Sequence, residues 1–112
     1  MNIKISGIPE KLQEHLISLL SACPEIERVV LFGSRARGDA EERSDIDLAI
    51  VAPRATPRQW LEISFRLEEV DTLLPIDIVR WQEASSALKA RIAAEGKILY
   101  ERHKITSELE QP

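Results

Sequence analysis

The sequence has little of what marks secreted, disulfide-bonded or membrane proteins. Its 112 residues include a single cysteine, Cys23, which excludes an internal disulfide and indicates a reducing compartment. No apolar run approaches the roughly 20 residues of a membrane-spanning helix, and residues 1–4 lack the apolar segment of a secretory signal. We therefore expect a cytoplasmic protein with no membrane partner, in which Cys23 is a small buried residue and not a nucleophile.

An excess of positive charge is also absent. The chain carries 15 Lys and Arg against 19 Asp and Glu, which gives a net charge of −4. This balance argues against general nucleic-acid binding, and the sequence contains no helical template-binding motif. We expect no direct contact with nucleic acid, which disfavours polymerase or repair activity, although the composition is compatible with a local basic pocket.

Length and composition indicate one small globular domain. Apolar residues make up 44% of the chain and charged residues 30%, and 112 residues leave no room for a second full core. We assign the domain to residues 1–103. The polar segment 104–112 is expected to be a frayed C-terminal tail.

Hydrophobic patterns predict alternating helices and strands. Helical spacing is found over residues 9–22, 57–74 and 83–95. Strand patterns are found over residues 28–32, 45–51, 76–81 and 97–100, and the small polar residues of 33–44 predict a loop with at most one helical turn. This order predicts an α/β (α+β) fold in which a small mixed β-sheet is flanked by helices.

Three aspartates lie within these predicted strands. Asp45 and Asp47 are two residues apart, so their carboxylates emerge from one face of the strand while Ile46 and Leu48 occupy the other. Asp77 repeats the pattern on a later strand, and paired strands would bring it within about 5 Å of its neighbour. Clustered carboxylates repel one another unless a cation or a proton intervenes. Their oxygen ligands suit Mg²⁺, including a two-ion clamp on a phosphoryl group.

The segment after the first predicted strand is suited to binding phosphate. Gly33 lets the backbone approach a ligand closely, and Ser34 offers a hydroxyl and an amide donor. Arg35 and Arg37 add positive charge, and Gly38 permits the chain to turn back. The candidate nucleotide-binding residues are therefore Gly33, Ser34, Arg35 and Arg37.

Each motif also has a purely structural explanation when taken alone. A Gly-Ser pair is a common turn, an Asp-x-Asp is usually on the surface, and two nearby arginines are most often a solvated loop. The combination favours a metal–nucleotide site, because an aspartate on an otherwise apolar strand costs stability unless it is paired or bound to metal.

These residues resemble the signature of the minimal nucleotidyltransferases, small members of the DNA polymerase β-like superfamily. That signature is Gly-Ser, ten residues, Asp-x-Asp and a third Asp on a later strand. It corresponds here to Gly33-Ser34, Asp45-Ile46-Asp47 and Asp77 without a departure. The resemblance covers about residues 9 to 101 and implies the nucleotidyltransferase fold.

The resemblance also implies a catalytic role for each matched position. Gly33 and Ser34 would hold the triphosphate of ATP or another nucleoside triphosphate. Asp45 and Asp47 would ligate two Mg²⁺ ions, and Asp77 would ligate one of them and help to deprotonate the attacking hydroxyl. The reaction would transfer a nucleoside monophosphate, with AMP from ATP as the expected case, to a hydroxyl of an acceptor.

The family further suggests a biological setting. Larger relatives carry an additional helical domain that helps to bind the acceptor, whereas this chain ends shortly after the catalytic core. Small members typically pair with a separately encoded helical protein of the HEPN type, and in many pairs they act as antitoxins that adenylylate a toxic ribonuclease. The alternatives are a non-catalytic antitoxin that neutralises its partner by contact and a subunit of a small-molecule nucleotidyltransferase.

The aromatic and histidine residues are not expected to be ligands. Core packing is predicted for Trp60, Phe65 and Trp81, ahead of partner binding or base stacking. His15 and His103 are predicted to lie on the surface.

Overall fold

The predicted alternation of helices and strands is confirmed in the computed structural model, which describes residues 7–102. The elements, in chain order, are α1 (Glu10–Ser21), β1 (Arg28–Phe32), α2 (Ser34–Arg37), β2 (Ile46–Val51), α3 (Pro57–Glu68), β3 (Ile76–Arg80), α4 (Ser86–Glu95) and β4 (Lys97–Glu101). His103 and the segment 104–112, predicted to fray, lie outside the described residues.

Two predicted helices begin or end at different residues in the structure. The helix predicted over 83–95 is shorter in the structure, because Glu83 ends a 3₁₀ helix (Trp81–Glu83) that follows β3 and Ser85 sets the start of α4. The Ser85 hydroxyl accepts a hydrogen bond from the Leu88 N–H at 3.1 Å, so α4 begins at Ser86, three residues after the predicted start at residue 83. Helix α3 ends at Glu68 and not at residue 74, because the chain turns there towards β3.

The start of α3 follows the prediction closely. Thr56 accepts a hydrogen bond from the Gln59 N–H at 3.1 Å, and the Gln59 side chain accepts one from the Thr56 N–H at 2.9 Å. This reciprocal capping box satisfies two backbone donors, and Pro57 occupies the first helical position.

The four strands form one mixed sheet with the order β3-β2-β1-β4. Strand β1 is antiparallel to both β2 and β4, whereas β2 and β3 are parallel and are connected through α3. In this register Phe32 pairs with Asp47, and Asp47 pairs with Asp77. The end of β1 and the two aspartates therefore lie side by side across three strands.

The two faces of the sheet are covered by different helices. On one face Ile46, Leu48 and Ile50 are fully buried in the main core, which also contains apolar side chains of α1 and α3. On the other face Phe32 and Ala49 pack against Ile92 of α4. Asp47 lies on this second face, next to the part of the sheet that α4 covers.

The remaining side-chain predictions have mixed outcomes. Cys23 is buried, as expected, and burial raises the pKa of its thiol. Trp60 and Trp81 pack against the two apolar clusters, and His15 is exposed, as predicted. The core assignment of Phe65 is wrong, because its side chain lies on the outer face of α3 and the residue is 54% exposed.

None of the helices within residues 7–102 combines the length and apolar character that a bilayer span requires.

Candidate active site

The carboxylates of Asp45, Asp47 and Asp77 converge, as the strand patterns predicted. One oxygen atom from each lies within 4.8 Å of the other two. The convergence follows from the fold, since Asp47 and Asp77 are partners in the parallel β2–β3 pair and Asp45 precedes Asp47 by two residues. A donor set of three carboxylates, without nitrogen or sulfur, suits a hard divalent cation such as Mg²⁺.

Asp47 is the central carboxylate of this group, and its surroundings oppose its ionisation. Partial burial raises its pKa, and the negative charges of Asp77 and Asp45 raise it further. The positive charges of Arg91 and Arg37 act in the opposite direction. A divalent cation between the carboxylates would relieve the repulsion, so the electrostatics as well as the donor set fit a metal site.

Gly33 forms the wall of the site beside Asp47. Its φ is +78°, a conformation that favours glycine, and a Cβ at this position would stand 2.5 Å from Asp47 Oδ2. The absence of a side chain is therefore what allows the end of β1 to pack against the carboxylate. Ser34 begins α2 directly afterwards, and Gly38, with φ +91°, ends that helix.

Arg35 takes a position that differs from the predicted contact with the nucleotide. The residue is buried, and all three nitrogens of its guanidinium donate to backbone carbonyls. These acceptors are Gly7 O at 3.0 Å, Glu42 O at 3.0 Å and Ser44 O at 2.9 Å. The side chain thus ties the loop between α2 and β2 to the segment that precedes α1, and its donors are committed to these backbone contacts.

Arg37 does lie at the site, together with two residues that the sequence analysis missed, Arg91 and Glu95. Arg37 Nη1 donates to Glu95 Oε2 at 3.2 Å, and Arg91 Nε donates to Glu95 Oε1 at 3.4 Å. The Gly33 N–H also donates to Glu95 Oε1, at 3.2 Å. The only available sequence signal was the spacing of four residues that places Arg91 and Glu95 on one face of α4.

Glu95 remains ionised in this environment. Partial burial works against its charged form, but the hydrogen bond and charge of Arg37, with the Gly33 amide and Arg91, hold the pKa of the carboxyl below its usual value. An anionic side chain therefore already accepts a hydrogen bond from the backbone of Gly33, one of the residues predicted to bind the nucleotide.

A cleft also lies at the edge of the sheet formed by β3. It has a volume of about 490 Å³ and lies between α3 and β3, with Asp77 in its lining. Leu67, Val70 and Leu74 form apolar walls, and Ser64 and Thr72 contribute hydroxyl groups. Asp77 is the one residue that this cleft shares with the carboxylate group.

A mixed sheet that gathers three carboxylates beside a glycine-ended strand defines a nucleotidyltransferase type of site. Residues 14–105 match the family described as Polymerase beta, Nucleotidyltransferase, and this range includes every residue of the site. The chain belongs to that family.

Individual relatives agree with this assignment. The chain is 32% identical over 111 residues to the protein adenylyltransferase MntA of Aphanizomenon flos-aquae, and the match covers 90% of this chain and 73% of that protein. It also resembles a chain in a crystal structure of a toxin–antitoxin with AMP-PNP, at 28% identity and a TM-score of 0.65, covering 87% of this chain and 78% of the other.

A third similarity concerns the fold alone. A chain in the complex of the tri-AMPylated Shewanella oneidensis HEPN toxin with its MNT antitoxin superimposes with a TM-score of 0.61 at 24% identity. The match covers 89% of this chain and 77% of that chain.

Proposed function

We propose that this chain transfers a nucleoside monophosphate, with AMP from ATP as the expected case, to a hydroxyl group of a partner protein. The observation that carries the proposal is the convergence of Asp45, Asp47 and Asp77 within 4.8 Å beside the glycine at the end of β1. The similarity to a protein named as an adenylyltransferase, and to a toxin–antitoxin solved with AMP-PNP, supports the choice of donor and acceptor.

The three aspartates would hold two Mg²⁺ ions, which when bound neutralise phosphate charge and favour ionisation of the attacking hydroxyl. Gly33 and Ser34 would orient the β- and γ-phosphates through their N–H groups. The acceptor oxygen would form a bond to the α-phosphorus while the bond to the bridging oxygen breaks, and pyrophosphate would leave on the Gly33 side. The Asp77 carboxylate, which lies with those of Asp45 and Asp47, would help to accept the hydroxyl proton, as the family resemblance implies.

We propose a separately encoded helical protein of the HEPN type as the acceptor, with this chain as the antitoxin of the pair in the cytoplasm. The sequence resemblance to minimal nucleotidyltransferases supports this setting, as does the similarity to MntA and to a toxin–antitoxin structure.

The test is an incubation of the chain with the product of the neighbouring gene, Mg²⁺ and ATP labelled at the α-phosphate. We expect the label on the partner protein, and we expect its loss in the double variant Asp45→Asn/Asp47→Asn. Glu101→Gln is the matched control, because it removes a carboxylate at the opposite end of β1 from the site and should leave labelling unchanged.

Two other outcomes would replace the proposal. A partner that is inhibited but carries no label would indicate a contact-only antitoxin. Label that appears only in a small-molecule acceptor would indicate a subunit of a small-molecule nucleotidyltransferase.

A further inference from the structure

In the last turn of α4, the Glu95 carboxylate occupies hydrogen-bond donors beside the aspartates that could otherwise bind phosphate. Glu95 accepts hydrogen bonds from the Gly33 N–H at 3.2 Å and from Arg37 at 3.2 Å, and Arg91 donates to it at 3.4 Å. The Glu95 side chain is only 20% exposed, whereas those of Arg37 and Arg91 are 39% and 51% exposed. The two arginines therefore remain reachable from solvent while Glu95 lies between them.

These donors are the kind that recognise phosphate. One backbone N–H and two guanidinium groups converge on two carboxylate oxygens, and phosphate oxygens accept the same charge-assisted hydrogen bonds. The position is next to the metal site as well, because the Gly33 backbone packs directly against the Asp47 carboxylate.

Apolar contacts attach the end of α4 to the sheet independently of Glu95. Ile92 is buried against Phe32 and Ala49, and Gly96 packs so closely on Ile92 and Val30 that a Cβ there would clash with both. The apolar contacts already fix the end of the helix. The polar contacts of Glu95 instead cross from α4 to the first turn of α2, where nucleotide phosphates are expected.

We propose that Glu95 competes with the terminal phosphates of the nucleotide for the same hydrogen-bond donors. Arg37 and Arg91 bind those phosphates once Glu95 is displaced. The identity of the anion rests on the proposed function; the occupancy of these donors by Glu95 does not. Without nucleotide, Glu95 neutralises two guanidinium groups beside the aspartates. With nucleotide, it must leave Gly33 and Arg37, which lowers the affinity for the triphosphate.

The test measures binding of Mg²⁺–tripolyphosphate by calorimetry to the wild type and to Glu95→Gln. We expect binding about tenfold tighter in Glu95→Gln, because one charge-assisted competitor is removed. Asp39→Asn is the matched control. Asp39 also pairs with Arg37, at 3.2 Å, but accepts no hydrogen bond from Gly33, so the same change of charge should alter the affinity less than about twofold.

A second variant separates contact from charge. Glu95→Asp keeps the negative charge but shortens the side chain by one methylene, so we expect it to release the Gly33 amide and to tighten binding about threefold. It also serves if Glu95→Gln folds poorly. Adding Arg91→Gln to Glu95→Gln should remove most of the gain, since the phosphates then lose a ligand.

The proposal is overturned if Glu95→Gln binds tripolyphosphate no more tightly than the wild type, or if Asp39→Asn produces an equal gain. The binding measurement tests the role of Glu95 separately from the proposed AMP transfer. Tighter binding in Glu95→Gln without AMP transfer by the wild type would leave the Glu95 proposal standing and refute the transferase. AMP transfer without tighter binding would do the reverse.

Discussion

The backbone of Gly33 packs against the carboxylate of Asp47 so closely that a Cβ at position 33 would stand 2.5 Å from Asp47 Oδ2. This contact joins the end of β1 to the central ligand of the candidate metal site. It explains why a glycine ends the strand there, and it makes position 33 a sensitive probe of the site.

Replacing Gly33 by Ala is expected to abolish transfer and to destabilise the protein. The substitution forces a side chain into a positive φ and onto the carboxylate, which should cost about 1–3 kcal/mol in the free energy of unfolding. Gly38→Ala is the control. Gly38 also has a positive φ, +91°, but a Cβ there meets nothing within 4 Å, so we expect about 1–2 kcal/mol of strain with transfer retained. Equal loss of transfer in both variants would contradict a specific role for the Gly33–Asp47 contact.

Neutralising Asp47 is expected to stabilise the metal-free protein. Burial and the charges of Asp77 and Asp45 raise the pKa of Asp47 above 3.8, so the folded state binds the proton more tightly than the unfolded state. Stability is therefore lost as the pH rises from 3.8 through the raised pKa, and it stays lost at neutral pH. In the presence of EDTA at pH 7, Asp47→Asn should melt about 2 °C higher than the wild type, a modest shift because solvent screens the charges around a partly exposed carboxylate.

The same pair of proteins gives the complementary result with metal. Mg²⁺ should raise the melting temperature of the wild type, because it binds the folded carboxylates, and should have little effect on Asp47→Asn. Near pH 3.5 the two proteins should melt together without metal. A wild type that is more stable than Asp47→Asn in EDTA at pH 7 would contradict the repulsion argued here.

Arg35 and Arg37 are expected to fail in different ways when replaced. Arg35→Met leaves three backbone carbonyls of Gly7, Glu42 and Ser44 without their donors and should cost about 2–3 kcal/mol in the free energy of unfolding. Arg37→Gln should leave the melting temperature nearly unchanged and weaken the binding of tripolyphosphate. Thermal denaturation and calorimetry on both variants separate the two roles. A destabilised Arg37→Gln, or an Arg35→Met that keeps its stability and loses tripolyphosphate binding, would contradict this assignment.

The aspartates could be predicted because alternation along a strand determines which side chains share a face. Asp45 and Asp47 needed only that local rule, and Asp77 needed the further assumption that its strand pairs with theirs. The parallel β2–β3 register supplies that pairing. Gly33 was found because it ends a predicted strand.

Arg91 and Glu95 could not be found in the same way. They reach the site only because α4 packs across the sheet through Ile92, and no local pattern encodes that docking. The hydrogen-bond partners of Arg35 could not be predicted either, because they are backbone carbonyls that come together only in the folded chain. Phe65, in contrast, was assigned wrongly despite an available signal: it lies five residues after Trp60, about 140° around the helix and away from the apolar stripe.

The central claim is that the α-phosphate of the nucleotide, with its nucleoside, is transferred. Parallel reactions with the chain, its partner and Mg²⁺ should use ATP labelled at the α-phosphate in one case and at the γ-phosphate in the other. We predict stable label on the partner only from α-labelled ATP, with the γ-label recovered as pyrophosphate. Label on the partner from γ-labelled ATP, or from neither, would contradict nucleotidyl transfer.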